Sequence, residues 1–161
     1  MYKRQLSNSS GDEVVLEVTH EGSIISTGRV CLPSFPGISN IDSGDVHQKN
    51  TDLTINWSTV SNATAIDVTI EEDITYEQYS SGLLPPITTS HTIPSSFFNL
   101  ASDWSDTAEC IINVTAYYGV SSEENYEDLD STDLGYNING SAGFFIGING
   151  DETTIYVPIS D

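Results

Sequence analysis

Apolar and polar residues alternate in short runs along most of the chain, and the period is two. Val14 to Thr19 reads as a strand, His20 to Ser23 as a turn with Gly22 supplying a positive φ, and Ile24 to Cys31 as the returning strand. Pro33 and Pro36, with Phe35 between them, then interrupt the pattern and mark a boundary. Beyond it Leu53, Ile55 and Trp57 alternate with Thr54 and Asn56. After a turn at Ser61-Asn62, Ile66, Val68 and Ile70 alternate with Asp67 and Thr69. Both runs carry the signature of strands with one buried face.

The stretch 71–86 is acidic, then Ser/Gly-rich, and ends in a Pro-Pro pair, so it reads as an irregular excursion before a short strand at 88–93. Phe97, Leu100, Ala101 and Trp104 fall at helical spacing behind Ser95 and Ser96, which predicts a short amphipathic helix or helical turn over 95–106. Cys110, Ile112, Val114 and Ala116 then alternate with Ile111, Asn113 and Thr115 in a further strand that extends through Tyr117 and Tyr118. Ser121 and Glu124 fit a capping box, predicting a second short helix over 122–130. Near the C-terminus two β-prone runs, 143–148 and 153–159, flank Asn149-Gly150, the expected chemistry of a tight hairpin turn. The expected class is therefore all-β, with one or two short helices.

Charge narrows the partners. The 161 residues hold 24 acidic and 4 basic side chains, a formal net charge of −20. A phosphate backbone would repel such a chain, and so would anionic lipid head groups, which excludes nucleic acid as a partner. The acid excess is read either as hydrated surface in a salty medium or as a divalent-cation site. Met1-Tyr2-Lys3-Arg4-Gln5 resembles a translated sequencing-adapter end; without Lys3 and Arg4 the charge becomes −22, and a natural N-terminus with its leader or lipid anchor is expected upstream. No apolar stretch approaches the roughly 18–20 residues that span a bilayer. Cys31 and Cys110 are open to two readings, one disulfide or two thiols.

The middle block has a family resemblance. Leu53-Thr54-Ile55-Asn56-Trp57 resembles the second strand of a fibronectin type III domain with its core tryptophan. Ala65 to Ile70 resembles the third strand, Thr89 to Pro94 with Leu100 the fifth, and Ile112-Asn113-Val114-Thr115-Ala116 the sixth. Cys110 stands near the place where that family has a tyrosine opening the sixth strand. The resemblance covers roughly residues 37–120 and implies a fibronectin type III/immunoglobulin-like β-sandwich. On this basis 1–36 is expected to be the end of a preceding β-unit, 37–134 the sandwich, and 135–161 a hairpin segment that pairs with 14–31. Across the flanks, Tyr136-Asn137-Ile138-Asn139-Gly140 and Gly143-Phe144-Phe145 are similar to the C-terminal segments of uncharacterised outer-membrane-associated lipoproteins of Bacteroidota. That likeness implies a lipid-anchored surface protein with no assigned enzymatic activity.

Candidate chemistry is sparse. His20, His47 and His91 lie in no Gly-x-Ser-x-Gly elbow or His-Glu-x-x-His helix and are read as surface histidines. Asp128, Asp130 and Asp133 fall in a run that resembles the opening of a calcium loop, with calcium as the candidate ion, although Asp133 occupies the position where such a loop needs glycine. Trp57 alternates with its strand's apolar residues and is read as core. Trp104 is the candidate ligand-stacking residue. The expected function is a non-catalytic extracytoplasmic module with a structural role or a protein or glycan partner at the cell surface. The alternative is an accessory, carbohydrate-binding or spacer domain of a secreted carbohydrate-active enzyme.

Overall fold

The computed structural model describes residues 11–100, 106–119, 138–139 and 146–159. Among them the chain is all-β, with no helix and three sheets. The strands are β1 (Glu13–His20), β2 (Ser23–Cys31), β3 (Asp45–Val46), β4 (Leu53–Asn56), β5 (Ala65–Glu72), β6 (Gln78–Ser80), β7 (Ser90–Ile93), β8 (Thr107–Tyr118), β9 (Ile138–Asn139) and β10 (Gly147–Pro158). The largest sheet has the order β3-β10-β8-β5-β6, the second is β4-β7, and the third is β1-β2-β9.

The predicted alternation decides which side chains meet. Val114 faces Val68 on one side and Asp151 on the other, and Ile112 likewise faces Ile70 and Thr153. One face of β5, β8 and β10 thereby presents Ile66, Val68, Ile70, Ile112, Val114, Ile155 and Val157 to Ile55, Trp57 and Ile93 of the β4–β7 side. These two sheets share one core, the arrangement of a β-sandwich. Each isoleucine taken out of water contributes about 1.5–3 kcal/mol, which makes this shared face the main source of stability. Trp57 is 4% exposed and belongs to that core, as its alternation predicted.

Two expectations meet different local structure, a third takes its alternative form, and a fourth lies outside the described residues. The segment 95–106 opens with successive i→i+3 turns, in which Phe97, Phe98 and Asn99 N–H groups donate to Pro94, Ser95 and Ser96 carbonyls. Ser95 caps nothing; its own N–H donates to Asp52 Oδ1 at 2.7 Å. The stretch 71–86 is more regular than its composition suggested, since β6 pairs with β5 through Thr69–Ser80, Ile70–Tyr79 and Glu71–Gln78. Asn149-Gly150 makes no turn: β10 runs straight through it, with Asn149 opposite Ala116 and Gly150 opposite Thr115. A two-residue hairpin turn of the Asn-Gly kind needs positive φ at both positions, and neither residue has it. Asn149 instead spends its side chain on the Pro33 carbonyl at 3.1 Å. The predicted helix over 122–130 lies outside the described residues.

The β1–β2 hairpin turns at Glu21 and Gly22 with φ of 50° and 81°, the backbone of a type I′ turn. It pairs with 138–139 through β2 and not with β10. Where β2 ends, Gly147 abuts the Cys31 carbonyl and Val30. The Pro-rich segment is hydrogen-bonded onto the sandwich: Ser34 and Ser61 exchange two bonds, Ser58 N–H donates to Pro36 O at 2.7 Å, and Ile38 bridges Trp57.

Candidate functional site

Asp128, Asp130, Asp133 and Trp104 all lie outside the described residues, so the calcium and ligand-stacking expectations have no geometry here. Among the described residues no group of three or more His, Cys, Asp and Glu side chains is placed to hold a metal ion.

The polar constellation that the fold does assemble lies on the outer face of the five-stranded sheet. Pairing puts Thr69 between Asn113 of β8 and Ser80 of β6, and Glu71 beside Gln78. With Ile70 and Tyr79 these residues line an open recess of about 230 Å³. Gln78 Nε2 donates to Glu71 Oε2 at 2.6 Å, so each side chain fixes the other. Ser80 Oγ donates to Asp67 Oδ1 at 3.0 Å and accepts from Gly82 N–H at 3.0 Å, which anchors it as well. Thr69 and Asn113, both half-buried, bond no other protein group through their side chains. The alternation of β5 and β8 placed Thr69 and Asn113 on one face in advance, whereas Glu71 falls in the stretch 71–86 that reads as irregular. Gln78 and Ser80 were not legible, because three residues of edge strand carry no periodic apolar signal.

Other reactive side chains are committed to tying the fold together. Glu72 points inward at the end of β5, and its carboxylate accepts from the N–H groups of Ile74, Thr75 and Glu77 and from the Thr75 hydroxyl. Burial alone would raise its pKa; those hydrogen bonds outweigh burial and hold it below the ordinary value of 4.5. His91 is half-buried and not a surface histidine as expected: β7 turns it inward, where Nε2 meets the Tyr79 hydroxyl at 2.7 Å. That bond joins the outer strand of the large sheet to the β4–β7 sheet. Burial lowers the His91 pKa, against a smaller opposing effect of Asp67, and raises that of Tyr79, with Asp67 adding to it. Both groups are therefore neutral partners near pH 7. Tyr79 also packs edge-on against Phe97, Phe97 against Phe98, and Phe98 against His47, forming a continuous aromatic run. His20 is exposed on the β1–β2 turn.

The cysteines are free thiols. Cys31 abuts Gly147, whereas Cys110 faces Ile155, and the intervening stretch of β10 spans ~27 Å at 3.4 Å per residue. No disulfide reaches across that separation. Burial, with the nearby carboxylates of Glu72, Asp73 and Glu109, pushes the Cys110 thiol up to about 12.

Compared with protein-family models, curated proteins and solved structures, the chain matches none.

Proposed function

We propose that the chain is a non-catalytic module of the fibronectin type III-like kind, serving as a spacer or ligand-interaction domain of a surface lipoprotein. The observation that carries this reading is strand adjacency. The runs likened to the second and fifth strands, β4 and β7, share one sheet, and those likened to the third and sixth, β5 and β8, are neighbours in the other. β10 lies beyond β8, where the seventh strand of such sandwiches stands. Supporting the non-catalytic part, Glu72 and His91 are engaged in bonds that close a loop and join two sheets.

Screening the purified chain against hydrolase and transferase substrates tests this reading. No turnover is expected; turnover abolished by one Asp, Glu or His substitution overturns it. For the location, metabolic labelling of the expressed gene product with palmitate is expected to find it lipid-modified in the membrane fraction. An unlabelled product in the cytosolic fraction would contradict a surface anchor. A second reading, an accessory domain of a carbohydrate-active enzyme, is favoured by the polar recess on the β5–β6–β8 face.

A further inference from the structure

We infer that the recess formed by Thr69, Glu71, Gln78, Ser80 and Asn113 binds a single ring of a neutral polyhydroxylated ligand, namely a sugar residue. This rests on reading the chain as an interaction module and assigns the ligand class of its site.

The chemistry of the lining selects the ligand. An amide offers both donors and an acceptor, a hydroxyl offers one donor and two lone pairs, and a carboxylate only accepts. A surface that mixes all three matches neighbouring hydroxyl groups, which donate and accept at once. Thr69 and Asn113 have capacity to spare, while Glu71, Gln78 and Ser80 are held in position by bonds at 2.6 and 3.0 Å. That combination is preorganised, with few rotamers left to order on binding.

Other ligand classes fit less well. An anion meets Glu71, the adjacent Asp67 and a chain of net charge −20. A hard cation seeks several oxygens drawn in around it, commonly including more than one carboxylate, but the recess offers one carboxylate in an open space. An apolar ligand would strand the Thr69 and Asn113 side chains without water or partner, at the cost of a buried unsatisfied group. At about 230 Å³ the recess is below the usual 300–1,000 Å³ of drug-sized sites, so it holds one ring and not a cofactor. An open site of this size implies millimolar affinity.

The test is a chemical-shift titration of the ¹⁵N-labelled chain with glucose, galactose, mannose, xylose and N-acetylglucosamine, and with neutral oligosaccharides built from each. At least one series is expected to shift the backbone amides of Thr69, Glu71 and Ser80 and the side-chain amides of Asn113 and Gln78. Asn113→Ala and the near-isosteric Thr69→Val should each weaken binding about tenfold, equivalent to one lost hydrogen bond of about 1.4 kcal/mol. Both should leave the rest of the spectrum in place. Tighter binding of an oligosaccharide than of its monomer supports a glycan chain as the source, and equal binding supports a free sugar. The assignment is overturned if no sugar moves these resonances, if the shifts persist undiminished in both folded variants, or if calcium alone produces them. Absence of sugar binding together with absence of turnover defeats the recess assignment alone; turnover defeats the module reading itself.

Discussion

At the scale of single residues, the informative side chains are polar groups turned inward. Glu72 exchanges water for four donors at the mouth of the β5–β6 loop. Because its folded pKa is lowered, its stabilisation is present above the unfolded value near 4.5 and is lost as pH falls through the folded value. Glu72→Gln should cost about 1–3 kcal/mol at pH 7 and flatten the acid limb of a urea-denaturation series as pH falls below the ordinary value of 4.5. An unchanged acid limb would contradict the assignment. His91 has the same sense in a higher window: its folded pKa is lowered, so the unfolded chain takes the proton first. Stability is then full above the ordinary value of 6.5 and declines as pH falls below it. The two thiols differ in kind. With Cys110 buried and held near 12, a disulfide-exchange reagent at pH 8 should titrate Cys31 in the native protein and both thiols only after denaturation. Two rapid thiols, or none after denaturation, would contradict this.

At the scale of elements, the long central strands were legible and the edges were not. Ile66, Val68 and Ile70, like Cys110, Ile112, Val114 and Ala116, show their buried face directly as a period of two, because each strand has one face in the core. The Asn149-Gly150 signal misled because turn propensity is local and weak beside a full ladder of pairs between β10 and β8. The turns at 95–98 take the shorter of the two forms that the spacing of Phe97 and Leu100 allowed, a helical turn in place of a helix; Phe98 is also fully buried, which that single face did not predict. The recess was half-legible for the same reason: β5 and β8 declare their outer residues, and β6 does not. Close approach provides a test of how the β1–β2 arm joins the sandwich. A Cβ at Gly147 would press into the Cys31 carbonyl, a backbone group that cannot swing aside. Gly147→Ala should therefore destabilise by about 1–3 kcal/mol in thermal denaturation. Ile24→Thr and Ile25→Thr, on the exposed arm tip, should stay within about 0.5 kcal/mol of the parent.

At the scale of the whole molecule, two balances matter. The first is charge: at −20 the folded chain repels itself, and added salt relieves this over a screening length of roughly 10 Å at 0.1 M. Each ~1 kcal/mol so recovered should raise the melting temperature by about 2–4 °C, read by calorimetry across a sodium chloride series. A melting temperature that falls with salt would show that attractive pairs dominate instead. The second is strand order, on which the functional reading depends. A continuous β10 beside β8 completes the large sheet and places the inner face over β4 and β7, whereas a hairpin about Asn149-Gly150 would remove the last strand from that sheet. The decisive measurement is the pattern of cross-strand nuclear Overhauser effects in the labelled chain. Contacts between Asp151 and Val114 and between Thr153 and Ile112, with slowly exchanging amides along 149–157, are predicted. Contacts of Ile148 with residues 151–153 across a turn, with none to β8, would contradict the fold and the function drawn from it.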